Sequence, residues 1–377
     1  MIIKNGNVFC DDNVFRKTDI EVQDGKITAI GDNLSNRDSD QIDAENCYVI
    51  PGLVDIHIHG AMGADFSDAN PDTMQDIARF LLTRGITSYL ATTMTLAEEQ
   101  ITNACKTARL FVGKDQADQA VMRGIHLEGP FFSYERRGAQ NADYLAKPDF
   151  DMLMRFYEAS GETVKLVAVA PEVEGGLDFI KKAASICTVS IGHSDASYDI
   201  AHRAYSLGAD HTTHMFNGMC PYNNREPGIV GAAFDSGAYV ELITDGIHIH
   251  PSVVRAVFKL FSDDRICFIS DAMRACGMPD GRYDLGGQWV TVEGKTASFS
   301  PGVLGGSVTT LDDCLRFAVE FGVPIEKAVK AATINPAESV GIDNEVGSLT
   351  VGKRADMLVL GKDLLLKNII FGGKPVK

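Results

Sequence analysis

The sequence is poor in positive charge. Its 377 residues include 35 Lys and Arg against 51 Asp and Glu, which gives a formal net charge of -16. Nucleic acids and anionic membrane surfaces attract proteins through basic patches, so this balance argues against both as partners. It does not exclude a small anionic substrate, because such a ligand needs only a few cations at one site.

The chain also lacks long hydrophobic runs. No stretch approaches the roughly 20 apolar residues that a membrane-spanning helix needs, and the first six residues do not form the apolar core of a signal peptide. The eight cysteines are scattered, without a C-x-x-C pair. We interpret them as thiols of a reducing compartment and not as a disulfide framework. These features predict a cytoplasmic protein.

The two ends of the chain are rich in short β-patterns. In residues 1–50 these patterns are separated by Asn5-Gly6 and Asp24-Gly25, dipeptides typical of hairpin turns. Residues 345–377 contain further β-rich runs of the same kind. We predict that 1–50 and 345–377 combine into one small β-sheet domain.

Residues 51–344 alternate short apolar runs with helical patterns, at a spacing suited to βα units. Met74, Ile77 and Leu81 recur at i, i+3 and i+7, which predicts a helix over 72–84. Further helices are predicted over 97–112, 177–186, 195–207 and 252–262. The predicted strands are Val54–His59, Ser88–Thr93, Gly124–Glu128, Val164–Ala170, Val189–His193, His211–His214, Val240–Thr244 and Cys267–Asp271.

Eight such strands predict a (β/α)8 TIM-like barrel over 51–344. A doubly wound open sheet is the alternative, but no G-x-G-x-x-G follows the first strand to support a dinucleotide fold. A barrel carries its functional groups at the carboxyl ends of the strands. The sequence can therefore be tested for polar residues at those ends.

The first predicted strand ends in His57 and His59, which alternate onto one face and could supply half of a transition-metal site. A lone H-x-H is a weak signal, since partly buried histidines are common. Other strands, however, end in residues of the same chemistry: Glu128, His193, His214, His248 and Asp271. His126 lies one pleat deeper and His211 at the opposite end of its strand, so neither is predicted to be a ligand.

At this point the residues resemble a known superfamily, the amidohydrolases. The resemblance rests on Pro-Gly-Leu-Val-Asp-Ile-His-Ile-His at 51–59 and on Gly-Ser-Leu-Thr-Val-Gly-Lys-Arg-Ala-Asp-Met-Leu-Val-Leu at 347–360. Within the superfamily, the chain is similar to the family of N-acetylglucosamine-6-phosphate deacetylases. That similarity is carried along the whole chain by the motifs at 126–131, 192–195, 213–219, 225–228, 245–248, 270–272 and 304–307.

The resemblance implies a metal-dependent enzyme that hydrolyses the acetamide of N-acetylglucosamine 6-phosphate to glucosamine 6-phosphate and acetate. It assigns Glu128, His193 and His214 as metal ligands and Asp271 as the catalytic acid/base. His57 and His59 are both present, so a second metal bridged by Glu128 is feasible. We expect one or two divalent ions per chain, and the ligands suit Zn, Fe, Mn or Co about equally.

The resemblance also assigns the contacts to the phosphorylated amino-sugar substrate. They fall on Ala139, Gln140, Asn217, Gly218, Arg225, His248, Leu304, Gly305 and Gly306. Arg225 is implied to reach the neighbouring active site across a homodimer interface. Gln140 stands where other members carry histidine, so a neutral amide N–H is all that this position can donate to a substrate carbonyl.

Three alternatives remain. The substrate could be the galacto epimer of the phosphorylated N-acetylhexosamine. A cyclic-amide hydrolase resembling dihydroorotase would often use a carboxylated lysine at the end of strand four, but Lys165 lies at the beginning of that strand. A barrel retained only as a binding scaffold would be expected to have lost ligands, and every expected ligand is present.

Overall fold

The computed structural model describes residues 1–35, 40–300 and 302–376. In the first half of the chain the strands are β1 Ile2–Phe9, β2 Phe15–Gln23, β3 Lys26–Gly31, β4 Gln41–Asp43, β5 Tyr48–Pro51, β6 Leu53–Ile58, β7 Gly60–Ala61, β8 Ala64–Asp65, β9 Ile86–Thr93, β10 Val121–Glu128 and β11 Val164–Val169. The later strands are β12 Thr188–Ile191, β13 His211–Thr212, β14 Tyr239–Leu242, β15 Ile266–Phe268, β16 Gly281–Leu285, β17 Gln288–Glu293, β18 Thr296–Ser300, β19 Val303–Leu304, β20 Met357–Leu360, β21 Leu366–Phe371 and β22 Lys374–Pro375.

The helices are α1 Pro71–Thr83, α2 Glu98–Ala108, α3 Phe150–Ala159, α4 Gly176–Ala183, α5 Tyr198–Ser206, α6 Gly228–Ser236, α7 Pro251–Leu260, α8 Leu311–Glu320, α9 Ile325–Ala332 and α10 Ile334–Ser339. Short 3₁₀ turns occur at Phe66–Asp68, Ala142–Tyr144 and Asp263–Arg265. Within the described ranges, no helix has both the length and the hydropathy needed to cross a membrane.

A parallel barrel forms the centre of the molecule. Its strands follow the order β6, β9, β10, β11, β12, β13, β14 and β15, and each is parallel to its neighbour. Backbone hydrogen bonds from Asp271 N to His57 O (2.9 Å) and from His59 N to Ala272 O (2.9 Å) join the end of the last strand to the end of the first. The predicted barrel is confirmed, and six of its eight strands end one to three residues earlier than predicted.

The sequences of the barrel strands are largely apolar runs, because both faces of each strand are covered. All six residues of β6 and all eight of β9 are buried. Helices cover the outer face of such a parallel sheet, and side chains fill the interior. The polar groups at the strand ends are therefore held by a rigid scaffold.

Both chain ends contribute to one further sheet, in the order β22, β21, β20, β5, β1, β2 and β3, with β4 beside β1. Strand β20 runs antiparallel to β5, and Leu358 pairs with Ile50. The predicted small sheet built from both termini is thus confirmed as part of the fold class. The domain boundaries at residues 50 and 345 stay a prediction, and residues 36–39 and 377 of that segment lie outside the described ranges.

An antiparallel sheet of β16, β17, β18 and β19 follows the last barrel strand, and the sequence interpretation missed it. In β17, buried Val290 and Val292 alternate with exposed neighbours, which is the period of a half-buried strand. The Gln288 side chain donates a 2.7 Å hydrogen bond to the carbonyl oxygen of Ala139. This bond fixes the small sheet beside the barrel mouth.

Helices α3, α6, α8, α9 and α10 were also not predicted. Helix α6 begins at Gly228 and is built largely from glycine, alanine and valine, so it shows no polar face from which a period of 3.6 could be read. Helix α3 does carry a signal, since the side chain of Asp149 caps its first turn.

Candidate active site

A pocket of about 300 Å³ opens at the carboxyl ends of the barrel strands. Twelve of the fifteen predicted site residues line it: His59, Glu128, Ala139, Gln140, His193, His214, Asn217, Gly218, His248, Asp271, Leu304 and Gly306. The lining also includes residues that sequence reasoning missed, namely Met94, Gly138, Phe216, Leu285, Gly302 and Val303. Leu285, Gly302 and Val303 belong to the small sheet and its turn, so that sheet forms one wall.

Glu128, His193 and His214 converge at the base of the pocket. Oε1 of Glu128 lies 3.1 Å from Nε2 of His193 and 3.0 Å from Nε2 of His214, and the two nitrogens are 3.1 Å apart. Ligand atoms held about 2.0–2.1 Å from a tetrahedral zinc ion would lie roughly 3.3 Å from each other. The spacing and chemistry of these three donors fit one divalent metal ion.

His57 and His59 lie on the other side of the same carboxylate. His57 Nε2 is 3.4 Å from Glu128 Oε1, and His59 Nε2 is 3.2 Å from Glu128 Oε2. Oδ1 of Asp271 faces both rings, at 3.5 Å from His57 Nε2 and 3.3 Å from His59 Nε2. Glu128 is thus positioned between two groups of nitrogen donors, as a bridging ligand would be.

The outer nitrogens of the rings indicate which atom each histidine presents to the site. Nδ1 of His193 lies 3.0 Å from the carbonyl oxygen of Arg136, and Nδ1 of His214 lies 3.2 Å from that of Asn217. A carbonyl oxygen only accepts, so each Nδ1 carries a proton and each Nε2 is the atom that can present a lone pair to a metal ion. A histidine that binds a metal is commonly oriented by such a partner. This orientation also fits a metal site.

The close packing of carboxylates and histidines also shifts the pKa values of these groups. Burial raises the pKa of Glu128, but the neighbouring histidines outweigh burial and hold it well below its ordinary value. Burial lowers the pKa of His57, yet the carboxylates of Glu241 and Glu128 outweigh it and raise the value to about 9. For His59, hydrogen bonds to Asp271 and Glu128 overcome burial and raise the pKa well above its ordinary value. The carboxylates therefore favour positive charge here, as binding of a divalent cation requires.

Three of these residues adopt a backbone conformation that side chains other than glycine rarely accept. The φ angles are +46° at His193, +28° at His214 and +47° at Asp271. Each such residue costs on the order of 1–3 kcal/mol and persists only where the surroundings enforce it. Each left-handed residue lies two or three residues beyond the end of its strand and brings its side chain to the mouth of the barrel.

Gly218 has a specific role beside His193. Its φ is +58°, and a Cβ atom at this position would lie only 2.9 Å from Nδ1 of His193. Its carbonyl oxygen accepts a hydrogen bond from Ser194 N at 3.0 Å. A larger residue would therefore displace the imidazole ring.

His248 is held by a carboxylate that sequence reasoning missed. Nδ1 of His248 lies 2.8 Å from Oδ2 of Asp245, and Oδ1 of Asp245 accepts the backbone N–H groups of Ile247 and His248. The opposite ring edge is thereby available to the pocket. The segment Asp-Gly-Ile-His was noted in the sequence, but the pairing of its two ends required the turn between them.

Three predicted site residues do not line the pocket of their own chain. His57 lies beneath it, fully buried. Gly305 belongs to a hairpin, where a Cβ atom would meet the ring of Phe299 at 2.5 Å. Arg225 is exposed on a loop whose turn is fixed by Asn223, since Oδ1 of Asn223 accepts the N–H groups of Arg225 and Glu226.

The model of the amidohydrolase family matches residues 48–376. An N-acetylglucosamine-6-phosphate deacetylase of Lysinibacillus sphaericus is 36% identical, with 99% of this chain and 97% of that protein covered. An N-acetylgalactosamine-6-phosphate deacetylase of Escherichia coli O157:H7 is 34% identical, with coverage of 94% and 93%.

A solved structure is similar over the whole chain. It is an N-acetyl-D-glucosamine-6-phosphate deacetylase from Mycobacterium smegmatis, in which one aspartate is replaced by alanine, in complex with N-acetyl-D-glucosamine-6-phosphate. It is 30% identical and superposes with a TM-score of 0.92, covering 100% of this chain and 98% of that one.

Proposed function

The chain belongs to the amidohydrolase family, and we propose that it hydrolyses the acetamide of N-acetylglucosamine 6-phosphate to glucosamine 6-phosphate and acetate. The observation that carries the proposal is the convergence of Glu128, His193 and His214 beside Asp271 at the mouth of the barrel. The resemblance drawn from the sequence motifs is confirmed at the level of the family. We further propose that the protein is cytoplasmic and acts in amino-sugar catabolism.

The proposed metal ligands are Glu128, His193 and His214 at one position, with His57 and His59 sharing Glu128 at a second. When bound, a divalent ion (Zn, Fe, Mn or Co, one or two per chain) lowers the pKa of water to about 7 and polarises the substrate carbonyl. The convergent ring nitrogens and the buried carboxylate support this assignment.

Asp271 is the proposed acid/base. Burial raises its pKa, but the hydrogen bond from His59 and the charge of His57 outweigh burial and lower it below the ordinary value. The carboxylate is therefore ionised at neutral pH and can accept the proton of the attacking water. It can then deliver that proton to the amide nitrogen, which must be protonated to leave as an amine.

The sugar phosphate is proposed to contact Asn217, Gly218, His248 and the Leu304–Gly306 turn of one chain. Arg225 is proposed to bind the phosphate from the second subunit of a homodimer, since it is exposed and does not line the pocket of its own chain. A guanidinium group matches the geometry of phosphate oxygens and forms strong, charge-assisted hydrogen bonds.

A second candidate substrate is the galacto epimer, N-acetylgalactosamine 6-phosphate. One relative with 34% identity over most of the chain bears that activity in its name. The epimers differ at one hydroxyl group, which changes neither the acetamide nor the phosphate. Both substrates would therefore use the same metal ligands and the same acid/base.

The proposal is tested by measuring acetate release from both 6-phosphates and from their unphosphorylated forms, with metal content determined on the same sample. We expect turnover of the gluco 6-phosphate to exceed turnover of its unphosphorylated form. Faster turnover of the galacto 6-phosphate would reassign the substrate to the epimer. Absence of acetate release from all four compounds by metal-loaded protein would refute the deacetylase proposal.

A further inference from the structure

Glu241 is a buried carboxylate on β14 that no part of the proposed chemistry uses. It is 0% exposed, and its chain neighbours Val240 and Leu242 are equally buried. A buried carboxylate is unfavourable unless it is paired with hydrogen-bond donors or charges. Its contacts therefore indicate what it stabilises.

One oxygen of Glu241 holds two of the proposed metal ligands. Oε2 lies 2.9 Å from Nδ1 of His57 and accepts the backbone N–H of His214 at 3.0 Å. His57 lies on the first barrel strand and His214 follows the sixth, so Oε2 of Glu241 links two separate parts of the site. The backbone carbonyl of Glu241 also accepts the N–H of Met215 at 2.9 Å.

The two contacts have different consequences. Because the carboxylate accepts a hydrogen bond from Nδ1 of His57, a proton is held on that nitrogen. Nε2, which faces Glu128 and Asp271, is then the atom that can give up its proton and present a lone pair to a metal ion. The contact with His214 N holds a residue whose φ is +28°, so it supports a strained turn at the point where that ligand leaves its strand.

The neighbouring side chains leave His57 little freedom. The ring of His126 packs edge-on against it, with centroids 4.6 Å apart. The second oxygen of Glu241, Oε1, lies 3.8 Å from Nδ1 of His211. The carboxylate is thus enclosed by three histidines, of which only His57 also reaches the proposed metal site.

We propose that Glu241 is a positioning residue: it fixes the Nδ1–H tautomer of His57 and the turn at His214, so that both rings present Nε2 to the metal site. The metal part of this inference rests on the proposed function, because it requires these histidines to bind an ion. The tautomer part does not, since it follows from the hydrogen bond alone.

Three variants separate positioning from general stability. Glu241→Leu removes both hydrogen bonds, and Glu241→Gln retains an oxygen that can accept them. Val240→Ala is the matched control, because Val240 is the adjacent buried residue of the same strand and its side chain points to the opposite face from that of Glu241. Thermal unfolding of all three measures the stability that each change removes.

Two readouts report on the ligands themselves. Dialysis against increasing chelator concentrations measures the apparent metal affinity. This affinity should fall by about 10- to 100-fold in Glu241→Leu, the range expected when the partner of a ligating histidine is lost. Glu241→Gln should lose less, and Val240→Ala should match the wild type. The ¹⁵N NMR spectrum of the histidine rings should show a proton fixed on Nδ1 of His57 in the wild type and in Glu241→Gln, but not in Glu241→Leu.

Unchanged metal retention together with an unchanged His57 tautomer in Glu241→Leu would overturn the inference, and Glu241 would then be a stabilising residue only. If wild-type protein retains a single metal, the tautomer measurement still decides. Acetate release by the wild type is measured separately. Its absence, with the tautomer result intact, would reject the deacetylase proposal and leave the role of Glu241 standing.

Discussion

The side-chain amide of Gln140 donates a hydrogen bond of 2.6 Å to Oε2 of Glu128. Its oxygen accepts the backbone N–H of Thr95 at 2.8 Å, so both ends of the amide are engaged and its orientation is fixed. The amide nitrogen has a second N–H, and Gln140 is one of the residues that line the pocket. Gln140 can therefore orient the proposed bridging carboxylate and still offer a donor to the substrate carbonyl.

Replacing Gln140 by leucine should reduce kcat about 10-fold and destabilise the protein by about 1–3 kcal/mol, because Thr95 N–H would be buried without a partner and Glu128 would lose a donor. Steady-state kinetics and thermal unfolding measure the two effects. Gln140→His is the control, since a ring N–H can replace the amide N–H as donor to Glu128. Unchanged kcat in Gln140→Leu would remove this residue from the mechanism.

Asp271→Asn should leave metal content intact and lower kcat by at least about 10²-fold, since an amide cannot accept the proton of the attacking water. In the unsubstituted protein, Oδ1 of Asp271 lies 3.3 Å from Nε2 of His59. Asparagine keeps an oxygen that can face His59 in the same way, so the site should remain assembled. Elemental analysis and kcat are measured on the same preparation. Near-normal turnover would exclude Asp271 as the acid/base.

The number of metals can be tested with the ligand that both positions share. Replacing His57 and His59 together by asparagine should reduce occupancy from two ions to one, because Glu128, His193 and His214 still converge. Glu128→Gln should weaken both positions, because this one carboxylate lies within 3.4 Å of donors from both groups. Elemental analysis of the three proteins decides. Equal metal content in the wild type and the double variant would make the site mononuclear.

The sequence predicted the barrel well because eight apolar runs alternate with helical patterns, and six of those runs end in residues of recognisable chemistry. His57, His193 and Asp271 could be assigned to one rim from their position after apolar runs alone. The small sheet of β16–β19 was missed, because its short alternating runs lie outside the βα pattern. It nevertheless supplies Leu285 and Val303 to the pocket wall.

The partners that orient the ligands were beyond sequence reasoning for a different reason. His193 and His214 are oriented by the backbone carbonyl groups of Arg136 and Asn217. Every residue has such a carbonyl group, so residue type does not predict this role. Glu241 did carry a signal, as a lone charge within an apolar strand, but only the structure shows that it faces His57. Distances across the barrel depend on closure, and periodicity along one strand does not report them.

The final prediction concerns Arg225, which is exposed and absent from the pocket lining of its own chain. Arg225→Ala should raise KM for the 6-phosphate by roughly 10²-fold, since a hydrogen bond to a charged group contributes about 1.5–3 kcal/mol. It should affect the unphosphorylated sugar far less. Equal losses on both substrates would mean that Arg225 stabilises its loop and does not bind phosphate.

Mixing two variants tests whether Arg225 acts in the neighbouring subunit. Refolded together, Arg225→Ala and Asp271→Asn chains would form mixed dimers in which one site combines an intact Asp271 with an intact Arg225 from the other chain. Random pairing of a symmetric dimer restores about a quarter of all sites, so activity at low substrate should rise well above that of either variant alone. Sedimentation measures the dimer independently. If the protein is a dimer but mixing restores no activity, then Arg225 serves its own chain, and the loop carrying it must move toward the pocket when phosphate binds.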